Sequence, residues 1–406
     1  MADDNDEASV ILAKIESITV DRATATAWIS MFDGTTVEGI FDHSFFAHGS
    51  TIIRTRHDIS ANRLVMETIR GDTVEVELPT LRAPAPRRDR PIIYLDQRDW
   101  SLLASVLFEP IRIRTASQQE AAQYLIALAR AQKIILPMSF AHLGETSNWS
   151  LTDRRYNLAL TLTQLSRGWQ MRDPMDVWQR ELHHTFASRF KQITRPPLDV
   201  FTLEGCAIQS RKTLVDVSSS WSEFPEGIKH VLRAAVCMMS YIDMVLASDS
   251  TPETPIPKWE NAFQRITDEL ARSLETSPQK RNILRYVLLS DIKLEVAEAA
   301  HLSGITVPEL ETWIESHFNT DVRAMKSLGL WNEVFQDKHL NTTTKWSAND
   351  LTDMMYLTCA AGYADYVLAE RSLTSYVKQA ARRLHRSIKV YSRIEDLVVE
   401  LKGEEL

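Results

Sequence analysis

The chain has 406 residues, 44% of them hydrophobic and 25% charged, and a formal net charge of −8. That length and apolar content suffice for a large core and more than one domain, so a disordered chain is excluded, and the negative charge argues against generic coating of nucleic acid while leaving room for a local basic patch. Three dispersed cysteines, Cys206, Cys237 and Cys359, suggest neither a disulfide framework nor a zinc ribbon, and the acidic N-terminus and the lack of any apolar run near the ~20 residues of a membrane helix favour a cytoplasmic protein with no membrane contact.

The acidic start, MADDNDE at residues 1–7, is expected to be disordered, and the segment from there to residue 81 reads as a small β domain. Candidate strands cover residues 9–20, 24–30, 35–41, 51–56, 63–69 and 73–78, with turn signals at Asp33-Gly34 and Gly71-Asp72, and their spacing predicts a barrel or sandwich. RAPAPRRDRP at 82–91 is the linker candidate. Beyond it, PIIYLD at 91–96 predicts a central buried strand, 117–131 an amphipathic helix, and KIILPM at 133–138 a second buried strand leading into SFAHLGETSNW. Residues 151–339 read as helical and form a large insertion or cap. The tail returns to alternation: helix 348–362, strand 364–369, helix 371–385, strand 388–391, helix 393–402, which implies a parallel sheet covered on both faces.

The acids fall at the ends of these elements. Asp96 terminates the first strand, Glu145 comes after the second, Asp350 and Asp353 lie in the first turn of the helix after Ser347, and Glu370 comes after the strand ending at Leu368. In an open α/β sheet, residues beyond the carboxyl ends of the strands meet in one crevice, so Asp96, Glu145, Asp353 and Glu370 are expected to converge there. Carboxylates that close together resist ionisation unless a divalent cation lies among them, and Mg2+ or Mn2+ is the natural occupant of an all-oxygen set. Such an ion suits in-line hydrolysis of a nucleic-acid backbone.

The stretches IIYLDQRDWSLLA (92–104), KIILPMSFAHLGETSNW (133–149), NDLTDMMYLTCAAGYADYVLAER (349–371) and IKVYSRIEDLVVEL (388–401) together resemble the PIN-domain, or PIN-like, family of metal-dependent nucleases. The resemblance covers about 92–150 and 345–402. It implies an α/β fold with a Rossmann-like parallel sheet over 92–406, interrupted by the helical insertion, and endonuclease activity on RNA more often than DNA. It further implies Asp96, Glu145, Asp353 and Glu370 as catalytic metal ligands with Asp350 in support. A toxin or antiphage effector is the biological setting it suggests. The family more often has aspartate where Glu370 stands, a hydroxyl residue at the position of Leu368, and a small hydroxyl residue at the position of Gln97.

Each residue also has a plainer role. Asp350 is placed to complete a helix cap, Asp96 to cap the helix after it, Glu145 to lie solvated on an amphipathic helix, and Glu370 to pair with Arg371 or Arg154. Asp365 reads as structural and the ten tryptophans as core anchors, while Arg87, Arg88, Arg90, Arg382, Arg383 and Arg386 either track a phosphate backbone or, as is commoner, are simply solvated. Two rivals compete with the ribonuclease expectation. One is a DNA-directed nuclease of the same fold. The other is a catalytically silent PIN-like scaffold that meets a regulatory partner, or another copy of itself, through the β domain or the helical insertion.

Overall fold

The computed structural model describes residues 10, 13–40, 50–78, 89–147, 152–204, 207–208, 226–247, 259–343 and 345–404; the acidic start, most of the linker, Arg87, Arg88 and Cys206 lie outside the described residues. The chain is α/β, opening with β1 (Ile15–Asp21), β2 (Thr26–Met31), β3 (Thr36–Ile40), β4 (Ile52–Asp58), β5 (Arg63–Thr68) and β6 (Thr73–Glu77). These form a single antiparallel sheet in the order β3-β2-β1-β4-β5-β6. The expected barrel or sandwich is thus replaced, among the described residues, by an open sheet with β3 and β6 at its edges. The close strand spacing that suggested a barrel or sandwich belongs to one sheet. Leu64, Met66, Val74 and Val76 bury one face of β5 and β6, and helices rather than a second sheet cover it.

The next elements are β7 (Ile93–Leu95), α1 (Gln97–Phe108), α2 (Ala116–Arg130), α3 (Phe140–Ser147), α4 (Thr152–Ser166), β8 (Gln170–Met171), α5 (Pro174–Lys191), β9 (Phe201–Thr202) and α6 (Glu226–Leu246). A helical run then comprises α7 (Trp259–Arg272), α8 (Ser277–Asp291), α9 (Lys293–Leu302), α10 (Val307–Ser316), α11 (Phe318–Ala324) and α12 (Lys326–Leu340). The tail is α13 (Asp350–Tyr363), β10 (Tyr366–Leu368), α14 (Arg371–Arg383), β11 (Val390–Tyr391) and α15 (Ile394–Gly403). KIILPM is not a strand. Residues 134–138 are buried as expected, but the segment holds only isolated bridge positions, at Ile135 and at Met138, the latter pairing in parallel with Gln170. Pro137 has no N–H to give to a ladder, which stops pairing from propagating through the segment.

Two compact units share the chain, the first holding Met1–Arg90, Trp100–Met171 and Phe201–Ser250, the second Pro91–Asp99, Arg172–Val200 and Thr251–Leu406. In the first, α4 packs on β6 and α6 on β4. Polar contacts fix that packing: Tyr156 donates its hydroxyl to Asp72 at 2.7 Å, and Thr51 donates both N–H and Oγ1–H to Asp243 at 2.6 Å. Arg90 is buried rather than solvated, and its guanidinium grips Glu77 through two bonds of 2.9 and 2.8 Å.

In the second unit β7, β10 and β11 make a parallel sheet in the order β11-β10-β7, with Leu368 registered against Leu95 on one side and Tyr391 on the other. All three residues of β10 are buried, which is why so short a run reads as continuous apolar sequence. The unit's central helix is α12, hidden on nearly every face, with Trp331 and Phe335 inside and with Asn332, Glu333, Gln336, Asp337 and Lys338 each paired. Trp178, Trp313, Trp331 and Trp346 are buried here and Trp100 and Trp169 in the first unit, in accord with a core role.

Candidate functional site

The carboxyl ends of β7, β10 and β11 lie side by side; Asp96 follows the first, Ala369 and then Glu370 the second, and Ser392 the third. Asp96 donates its N–H to the Leu368 carbonyl at 2.9 Å, which sets it at the end of the shared ladder. Its side chain turns back on the helix start and the neighbouring strand: Oδ1 accepts the Gln97 N–H at 2.8 Å and Oδ2 the Glu370 N–H at 3.3 Å. Asp96 and Glu370, far apart in sequence, therefore stand next to each other because two parallel strands end in register.

The electrostatics are those of crowded acids. Burial raises the pKa of Asp96, the negative charge of Glu370 adds to the rise, and the two backbone N–H groups oppose it. Asp99 belongs to the same cluster. It is 3% exposed, and burial first, then Asp96 and Glu370, push its carboxyl up to about 6 against the pull of Arg98. Arg98 donates to both oxygens of Asp99 at 3.3 Å and to the Ser392 carbonyl beyond β11 at 3.2 Å, so one guanidinium spans the sheet end. Glu370 itself is exposed and opens the cluster to solvent.

Asp353 lies in the first turn of α13. That helix turns into β10 across Ala364 and Asp365 and packs on it. Tyr356, one turn further on, has its phenol held far above the usual range by burial, then by Asp173 and by Tyr94 of β7. Asp173, which precedes α5, accepts the Tyr356 hydroxyl at 3.2 Å and the Met175 N–H at 2.9 Å, and burial raises its pKa.

The other predicted residues have different places. Asp350 serves its own helix and an ion pair: Oδ2 accepts the Ser347 N–H at 2.5 Å and Oδ1 lies 2.8 Å from the buried Lys338 ammonium. Glu145 is half-buried on α3 in the first unit. Asp365 accepts the Ile92 N–H at 2.7 Å and ties β10 to β7, the structural role expected of it. Arg154 pairs with Glu109 at 3.1 Å. Among the described residues, no three His, Cys, Asp or Glu side chains are grouped as a ready metal cage.

Asp99 and Asp173 are the acids that sequence reasoning left out. The signal for Asp99 was its spacing of three from Asp96, which sets it in the first turn of the helix that Asp96 precedes, with its N–H on the Asp96 carbonyl at 3.0 Å. Asp173-Pro174 carried the pattern of a helix start, an N-cap before a proline at the first helical position, and reads equally as a break. Among the described residues no helix is long and apolar enough to cross a membrane. Compared with known proteins, the chain matches no family model, no curated protein and no solved structure.

Proposed function

We propose that the chain is a PIN-like, divalent-metal-dependent phosphodiesterase that cuts RNA, centred on Asp96 and Glu370. The observation that carries the reading is their adjacency at the ends of two registered parallel strands, with Asp96 already raised in pKa by burial and by Glu370. Two carboxylates are a sufficient protein contribution for Mg2+ or Mn2+, because such ions keep several waters and share their remaining positions with substrate phosphate. Asp96 and Glu370 would hold the ion, with Asp353 approaching from the first turn of α13. Bound there, the ion would supply Lewis-acid polarisation of the phosphate and a water of lowered pKa. The chain's own part is positional. The Gln97 and Glu370 N–H groups hold the Asp96 carboxylate in one orientation, and Arg98 keeps Asp99 folded against the sheet end.

The test is cleavage of labelled RNA and DNA by purified protein with Mg2+, Mn2+ or chelator, alongside Asp96→Asn. Metal-dependent cutting of RNA that falls by about 100-fold or more in the variant supports the proposal. Preference for DNA transfers the same chemistry to the other polymer. A second reading, the silent scaffold, draws on the absence of a three-acid cage among the described residues and on the engagement of Asp350 with Lys338. No metal-dependent cutting of either polymer, with a folded protein, would select it.

A further inference from the structure

Away from the acids of the sheet end, the second unit gathers arginines around α12. Helices α8, α11 and α14 all pack on it. Arg281 of α8 and Arg383 of α14 both bind Asp337, at 2.7 and 2.5 Å, while Arg323 of α11 binds Glu333, which also lies 3.7 Å from Arg281 and 3.5 Å from Arg383. Both acids are buried, with side chains 2% and 9% exposed, whereas the guanidinium side chains are 26 to 38% exposed. The acids thus act as anchors that fix arginines whose outer edges face water.

A fourth cation joins them. Arg285 lies within electrostatic reach of Glu333, Arg323 and Arg281, and its side chain donates to Asn282 at 2.7 Å. Burial lowers its pKa, and the like charges of Arg323 and Arg281 lower it further. Four guanidinium groups against two carboxylates leave an excess of two positive charges in a chain whose total is −8. The adjoining helix α14 adds Arg371, Lys378 and Arg382 and carries no acid. Planar forks held by buried carboxylates recognise tetrahedral oxyanions, and clustered like charges are relieved when such an anion binds.

We propose that Arg281, Arg285, Arg323 and Arg383 form a phosphate-binding site, with a polynucleotide backbone or a compact polyphosphate as the source of the phosphate. Charge recognition of this kind needs no metal, so it stands or falls separately from cleavage. Fluorescence anisotropy of labelled single-stranded RNA, with the full chain in chelator, is the measurement. Arg285→Gln is the informative variant, because it removes a cation without stripping the partner from a buried acid.

Affinity is expected to drop about tenfold in Arg285→Gln, with an unchanged or higher Tm, and to recover largely in Arg285→Lys. The slope of log Kd against log salt over about 50 to 200 mM should fall by roughly 0.7, the share of one phosphate contact on a single strand. Arg130→Gln, at an exposed position of α2, should stay within about twofold of the native protein and so controls for bulk charge. Tripolyphosphate that competes at equal phosphate concentration assigns the site to a compact polyphosphate, and competition by unlabelled RNA alone assigns it to the backbone. Either supports the site. It is overturned if neither anion binds, if Arg285→Gln binds as the native protein does, or if Arg130→Gln loses as much.

Discussion

At the residue scale, the two acids of α13 illustrate how little a side chain's chemistry says about its use. Asp350 and Asp353 share one helical turn, but Asp350 closes that turn on Ser347 and neutralises Lys338, whose side chain is only 5% exposed. Removing one member of a buried pair strands the other charge, so Asp350→Asn should lower unfolding stability by about 3 kcal/mol in a denaturant titration. Cleavage per folded molecule should persist. If Asp350→Asn instead keeps full stability and loses activity, Asp350 is a ligand and its pairing with Lys338 is incidental.

At the element scale, the second unit depends on how closely α13 approaches α12. A Cβ on Gly362 would sit 3.0 Å from the carbonyl carbon and oxygen of Lys326, backbone atoms at the start of α12 that cannot swing aside. Gly362→Ala should therefore cost roughly 1–3 kcal/mol through displacement of the helix pair, read as a lower denaturation midpoint. Because α13 also carries Asp353, the same variant should weaken the proposed metal-dependent cutting in its folded fraction.

At the scale of the whole molecule, each compact unit holds a buried neutral histidine. His57 of β4 is held down to about 4 by burial against a modest pull from Asp58, and His339 of α12 to about 3 by burial and by Lys338. The unfolded chain takes up these protons near the ordinary value of 6.5, so between about 4 and 6.5 it binds more protons than the folded chain. Stability is then full above pH 6.5 and is lost as pH falls toward 4, by roughly 3 kcal/mol for His57. Melting curves across that range should show the loss, and His57→Phe should flatten the part that comes from the first unit. A native protein whose Tm does not change from pH 7 to pH 4.5 would contradict this.

What the sequence determined by itself is local. Alternation placed the strands of the N-terminal sheet and those of the tail, and an acid directly after each of two short apolar runs put Asp96 and Glu370 at strand ends. Tertiary structure alone decided that the N-terminal strands form one open sheet under helices, that Pro137 leaves KIILPM with isolated bridges rather than a strand, and that residues 100–171 and 201–250 share a unit with that sheet. It alone brought Lys338 to Asp350 and gathered arginines from three helices onto Glu333 and Asp337. The reason is physical: periodicity reports which face of an element avoids water, whereas the partner on that face is set by contacts between residues tens to hundreds of positions apart.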